Sequence, residues 1–144
     1  MHSMVSMNQS VFLNLVTAVE PCDDVECCGF FFGQENANHR MITKVMPVNN
    51  SAKDKRAQFE IASGDYLNAE RLASKENMQL LGVYHSHPNH PAVPSEYDKK
   101  AAQPYFSYII LSVMKKKVED VRSWRLDGDS ELKEEEIEIT KIIN

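Results

Sequence analysis

The sequence predicts a single α/β domain. Its 144 residues suit one domain of roughly 100–200 residues. Hydrophobic residues make up 42% and charged residues 26%, ordinary usage for a chain with a core to bury. Segments with helical periodicity alternate along the chain with short apolar or aromatic runs that suit strands.

The elements follow in order. Residues 1–9 are expected to be flexible. Ser10 is a good N-cap for Val11, Phe12, Leu15, Val16 and Val19, whose spacing predicts a helix over 10–20 that stops at Pro21. Val25 to Gly33 is an apolar and aromatic run that suits a buried strand, with Glu26 as its anomaly. Met41 to Val48 reads as a second strand, paired with the first as a hairpin and followed by a polar loop from Asn49 to Arg56. Phe59 to Ile61 is expected to be extended. Tyr66, Leu67, Ala69, Leu72 and Ala73 predict a helix over 65–77. Leu80 to His87 reads as a strand ending at Pro88, and Pro88, Pro91 and Pro94 then impose an irregular loop. Ser95 caps a short helix over 96–103. Tyr105 to Met114 and Val118 to Leu126 are strand-like around a turn of three lysines, Lys115 to Lys117. The alternation of Ile137 and Ile139 predicts a last strand over 137–142, while 131–136 could also be helical.

Charge and cysteine usage narrow the function classes. Sixteen Lys and Arg against 21 Asp and Glu give a net charge of −5, which disfavours a nucleic-acid or anionic-membrane partner. Cys22, Cys27 and Cys28 are odd in number and clustered, unlike the spread framework of a secreted disulfide-rich domain, so a reducing compartment is expected. The apolar stretch from Val11 to Val19 lacks a preceding Lys or Arg and is too short to span a bilayer, so the expected location is the cytoplasm. On a strand, Cys27 and Cys28 would point to opposite faces, which reads as core packing rather than a thiolate pair for a metal.

The chemistry concentrates in residues 85–98. His85 and His87, at i and i+2 of a strand, project from one face about 6.5–7 Å apart at Cα and can converge on one cation. After a seven-residue spacer, Ser95 and Asp98 stand three apart at a helix start, on the same side, so that Asp98 can add a carboxylate ligand with Ser95 beside it. Three ligands leave a fourth tetrahedral position for water, as in catalytic zinc sites. A base outside the ligand set should stand nearby. Glu26 is the candidate, because a carboxylate in an apolar strand is costly without a partner or a task. Blander roles stand beside these: Ser95 and Asp98 as a capping pair, Glu26 facing solvent at a strand end, His90 as an exposed loop residue, and the Lys115 to Lys117 and Glu131 to Glu136 runs as solvated surface.

The runs Glu26-Cys27-Cys28-Gly29, His85-Ser86-His87-Pro88 and Ser95-Glu96-Tyr97-Asp98, in that order and spacing, resemble the signature of the JAMM metalloproteases, also called the JAB or MPN domain family. The resemblance extends over nearly all of residues 1–144. It implies a curved mixed sheet flanked by helices, with an architecture related to cytidine deaminases. Deamination itself is disfavoured, since H-x-E followed by P-C-x-x-C is absent. The resemblance makes His85, His87 and Asp98 ligands of one Zn2+, Glu26 the general base and Ser95 an oxyanion donor. It implies a zinc metallopeptidase that hydrolyses a peptide or isopeptide bond after the C-terminal Gly-Gly of a ubiquitin-like or sulfur-carrier protein. The larger relatives that remove ubiquitin carry inserted recognition segments for which 144 residues leave little room. The rival expectations are a non-catalytic MPN scaffold and a JAMM peptidase acting on cell-wall or other peptides.

Overall fold

The computed structural model describes residues 2–128 and 131–141. Seven strands and three helices follow one another as β1 (Met4–Asn8), α1 (Gln9–Val19), β2 (Cys28–Asn36), β3 (His39–Val48), α2 (Ser63–Lys75), β4 (Gln79–Pro88), α3 (Glu96–Ala101), β5 (Ser107–Met114), β6 (Lys117–Leu126) and β7 (Leu132–Thr140). The sheet order is β1-β3-β2-β4-β5-β6-β7, and β7 returns to pair with β1, closing a barrel. It is a mixed sheet: β1 runs parallel to β3 and to β7, β4 runs parallel to β5, and the other neighbours are antiparallel. The expected curved mixed sheet with helices is therefore observed, with the curvature carried through to closure.

Several local expectations are corrected. Residues 4–8 are not flexible but form β1, paired along its whole length with Glu136 to Thr140. The cap of α1 is Asn8, whose Oδ1 accepts from Val11 N at 2.9 Å, rather than Ser10. β2 begins at Cys28, after Glu26, and continues past Gly33 because Gln34, Glu35 and Asn36 pair with Met41, Arg40 and His39. Residues 131–136 are not helical; β7 starts at Leu132, and Glu135 turns inward, where its Oε2 accepts from Ser123 Oγ at 2.7 Å. Residue 142, the end of the predicted last strand, lies outside the described residues.

Cys27 does not pack as a free core residue. The 3-10 turn Glu20–Cys22 and the left-handed Asp23 (φ 58°) turn the chain back, and Cys27 forms a disulfide with Cys22, Cα to Cα 6.2 Å. Cys28 is free and buried, as expected. Among the described residues, no helix is long and apolar enough to cross a membrane.

Two hydrophobic clusters cover the sheet. One joins Val11, Leu15 and Val19 of α1 to Val5, Phe31, Ile42, Tyr84 and Ile109; the other joins Ala69 and Ala73 of α2 to Cys28, Phe30, Phe32, Val83 and Tyr108. The helical periodicity of α1 and the pleat of β2 decide which residue enters which cluster. β4 is central, with β2 on one side and β5 on the other. Its Gly82 is required there: a Cβ would meet Ser107 O of β5 and the ring of Phe31. Neither obstacle is a flexible chain end. Gly82→Ala is accordingly expected to cost roughly 3 kcal/mol or more, measured by urea unfolding. A loss below about 1 kcal/mol would mean that β4 and β5 can separate without disturbing the sheet.

Candidate metal centre

Strand geometry brings the two histidines together. Val83, His85 and His87 alternate along β4 on one face, with Tyr84 and Ser86 on the other. His85 Nε2 and His87 Nε2 stand 3.0 Å apart. Asp98 reaches them from the first turn of α3, with Oδ2 at 3.2 Å from His85 Nε2 and 3.1 Å from His87 Nε2. The capping expectation for Ser95 and Asp98 is also met: Ser95 Oγ accepts from Asp98 N at 3.1 Å, and Ser95 N donates to Asp98 Oδ2 at 2.9 Å. The cap and the cluster are the same device, since the cap fixes the carboxylate that faces the histidines.

The loop between β4 and α3 is irregular yet well held. His87 Nδ1 lies 2.8 Å from Pro91 O, Ser112 Oγ donates to His90 O at 2.6 Å, and Trp124 Nε1 donates to Ala92 O at 3.1 Å. A carbonyl can only accept, so Nδ1 of His87 carries the proton and Nε2 presents a lone pair to the cluster when the ring is neutral. His85 is stacked on Phe59 at 4.4 Å between ring centroids.

Glu26 comes from a distant part of the chain. Its residue is 6% exposed, and its Oε1 is buried without a hydrogen-bond partner. One donor atom from each of Glu26, His85, His87 and Asp98 lies within 4.8 Å of the others, and all four residues are buried. Glu26 N donates to Lys55 O at 2.7 Å, and Cys27 N donates to Ser86 Oγ at 2.9 Å. Ser86, between the two histidines and facing the opposite way, therefore ties the Glu26 segment to β4. Sequence reasoning missed both Ser86 and Asn50, whose Nδ2 donates to Glu26 O at 2.9 Å, because nothing in their local sequence points to these long-range backbone partners.

The electrostatics follow from burial and proximity. Burial lifts the Glu26 carboxyl to about 8, against the lowering pull of His87. Burial also raises Asp98, but hydrogen bonds from His85 and His87 outweigh it and hold the carboxyl well below the usual range. Burial lowers His85, whereas for His87 the bonds to Asp98 and Pro91 overcome the same cost and raise it.

The donor set fits a divalent cation. Two imidazole nitrogens and a carboxylate oxygen form a nearly equilateral triangle with sides of 3.0, 3.1 and 3.2 Å. A tetrahedral ion bound at about 2.0–2.1 Å would set its donors about 3.3 Å apart. On one side, His87, Glu26 and Ser95 line a cavity of about 310 Å³ with Arg56, His90 and Val93. On the other, His85 and Asp98 border a smaller one of about 190 Å³ with Phe59, Tyr66, Tyr97 and Tyr108. His90 is exposed at the rim of the first. The Lys115 to Lys117 turn belongs to neither.

Comparison with known proteins shows what the chain is similar to. A family model described as prokaryotic homologs of the JAB domain matches residues 8–127. The chain is 29% identical to the desampylase of Pyrococcus furiosus over 126 residues, 88% of this chain and 84% of that one. It is 32% identical over 74 residues to a probable TtuB-protein conjugate cleaving protease of Thermus thermophilus, 51% of this chain and 50% of that one. The solution structure of a Desulfitobacterium hafniense protein superposes with a TM-score of 0.85 at 27% identity, covering 98% of this chain and 96% of that one.

One divalent ion per chain is expected by elemental analysis after gel filtration. His87→Ala and Asp98→Ala should each weaken it by more than the roughly 10–100-fold that loss of a supporting hydrogen bond costs. Ser95→Ala should instead cost about 1 kcal/mol of stability through the cap while retaining the ion. Unchanged ion content in both ligand variants would remove the cluster as its site.

Proposed function

The chain belongs to the family of prokaryotic JAB-domain homologs, and on that premise we propose that it is a zinc-dependent peptidase that cleaves the bond after the C-terminal Gly-Gly of a ubiquitin-like or sulfur-carrier protein. The observation that carries this reading is the buried convergence of Glu26, His85, His87 and Asp98 within 4.8 Å beside an open cavity. His85, His87 and Asp98 would hold the zinc. Two imidazoles and one carboxylate suit that ion. When bound, it polarises the scissile carbonyl and makes water acidic enough to attack near neutral pH.

The remaining steps fall to the protein's own side chains. Glu26 has the free buried oxygen and the elevated pKa of a base able to take a proton from water and return it to the leaving amine. Ser95 Oγ accepts from Asp98 N, which leaves its hydroxyl proton available to the oxyanion that develops on the scissile carbonyl. A Gly-Gly tail has no side chains to obstruct the cavity between Arg56, Val93 and Ser95. Relatives named for removing conjugated modifiers support the substrate class.

The test is intact-mass analysis of small Gly-Gly carrier proteins, each joined through its C terminus to a lysine or bearing a C-terminal extension. Mass loss at the Gly-Gly boundary is expected with the zinc-loaded chain. Glu26→Gln should keep the zinc and lose turnover by at least about 10²-fold. Full activity of that variant would overturn the assignment of Glu26, and no cleavage by a zinc-loaded chain would overturn the substrate class.

A further inference from the structure

The Asn50 side chain uses every hydrogen-bonding position it has. Its Nδ2 donates to Glu26 O at 2.9 Å and to Gln58 O at 3.0 Å, and its Oδ1 accepts from Ala52 N at 2.9 Å and Glu60 N at 3.0 Å. A primary amide has two donors on nitrogen and two acceptor directions on oxygen, so its capacity is full. Two carbonyls at one end and two amides at the other leave only one orientation of the group. Aspartate would offer acceptors to both ends, and glutamine would carry the same amide one methylene too far.

Asn50 is the second residue of the segment 49–62 between β3 and α2, which contains neither helix nor strand and whose shape therefore rests on such bonds. Ser51 N and Ser51 Oγ both donate to Glu60 O, at 2.8 and 2.9 Å, so residues 50–52 and 58–60 close the neck of the loop. From that neck the loop reaches back to Glu26 twice. Lys55 O accepts from Glu26 N at 2.7 Å, and Asn50 Nδ2 donates to Glu26 O. Both main-chain groups of Glu26 are thus held by one loop, while the next residue, Cys27, is held by Ser86 through Cys27 N to Ser86 Oγ and Ser86 N to Cys27 O. No hydrogen bond to Oε1 orients the carboxylate, which leaves the main chain as the lever that aims it.

We propose that Asn50 is a positioning residue that aims Glu26 at the His85, His87 and Asp98 donors by locking the 49–62 loop to the Glu26 peptide. The inference rests on the reading of Glu26 as general base. A misplacement of about 1 Å at a reacting group can cost about 10²-fold in rate, so loosening this lock should act on turnover rather than on substrate or ion binding.

The test uses the zinc-loaded full chain with the Gly-Gly conjugate described above. Asn50→Asp keeps both acceptor bonds of Oδ1 and replaces both donations by repulsion between oxygens. The expected result is a fall in kcat of about 10²-fold, with KM and zinc content within about twofold of the parent. Native-state hydrogen exchange supplies a readout independent of activity: the Glu26 amide should exchange about tenfold faster, and the Cys27 amide, held by Ser86, should not change. Unchanged kcat in the folded variant, a loss that follows KM or zinc content, or equal acceleration at Glu26 and Cys27 would overturn the proposal. If Asn50→Asp does not fold, Asn50→Ala, which deletes the four bonds and adds no repulsion, decides between the same outcomes. Full activity of Glu26→Gln refutes the catalytic reading itself, whereas an inactive Glu26→Gln beside a fully active Asn50→Asp refutes only the role of Asn50.

Discussion

Two imidazole nitrogens and a carboxylate oxygen confined to a triangle with sides of 3.0–3.2 Å need a shared proton or a cation among them, and much of this fold serves to hold them there. His85 and His87 are set by the pleat of β4, the strand locked between β2 and β5. Asp98 is set by a reciprocal cap at the start of α3. The pKa directions express the same constraint. His87 is held above its ordinary value and Asp98 below, so a proton on the imidazole and a cation among the donors answer the same electrostatic demand. Metal binding at such a site releases protons for this reason.

Glu26 solves a different problem. Burial with Oε1 unpartnered raises the pKa of its carboxyl at a cost in stability. The surroundings offset that cost through the main chain. Residues 26 and 27 lie outside β2, yet their backbone groups are bonded to Lys55, Asn50 and Ser86. The Cys22 to Cys27 disulfide closes the turn that leads into them. The cluster thus combines a sheet strand for the two histidines, a helix cap for Asp98 and a tethered segment for Glu26.

What could be read in advance follows the distance over which each feature is specified. The donors of residues 85–98 were legible because a strand pleat and a helix cap are local geometries with fixed side-chain spacing. Glu26 was legible as a chemical anomaly but was misplaced inside a strand, since its apolar neighbours continue the run that β2 begins only at Cys28. The same error put Cys27 on the strand, whereas it precedes β2, is bonded to Cys22 and packs against the α1 cluster. β1 was missed because Met4 to Asn8 has no strong β pattern of its own. It becomes a strand only through parallel pairing with β7, at the other end of the chain. Glu135 was read as surface because its acidic neighbours are, whereas alternation along β7 turns that one residue toward Ser123.

Asn50 and Ser86 mark where local reading stops. Each bonds to backbone atoms that the fold delivers from far along the chain, and neither bears a charge that would single it out. Their chemistry is nonetheless restrictive. Ser86 must point away from the cluster for His85 and His87 to point into it, so the residue between the two histidines is free to tie a second segment to the same strand. That placement couples the aim of Glu26 to the register of β4 without lengthening the motif. A compact chain can in this way bring a buried carboxylate and a cluster of imidazole and carboxylate donors together from segments far apart in sequence, using one strand as the common reference for both.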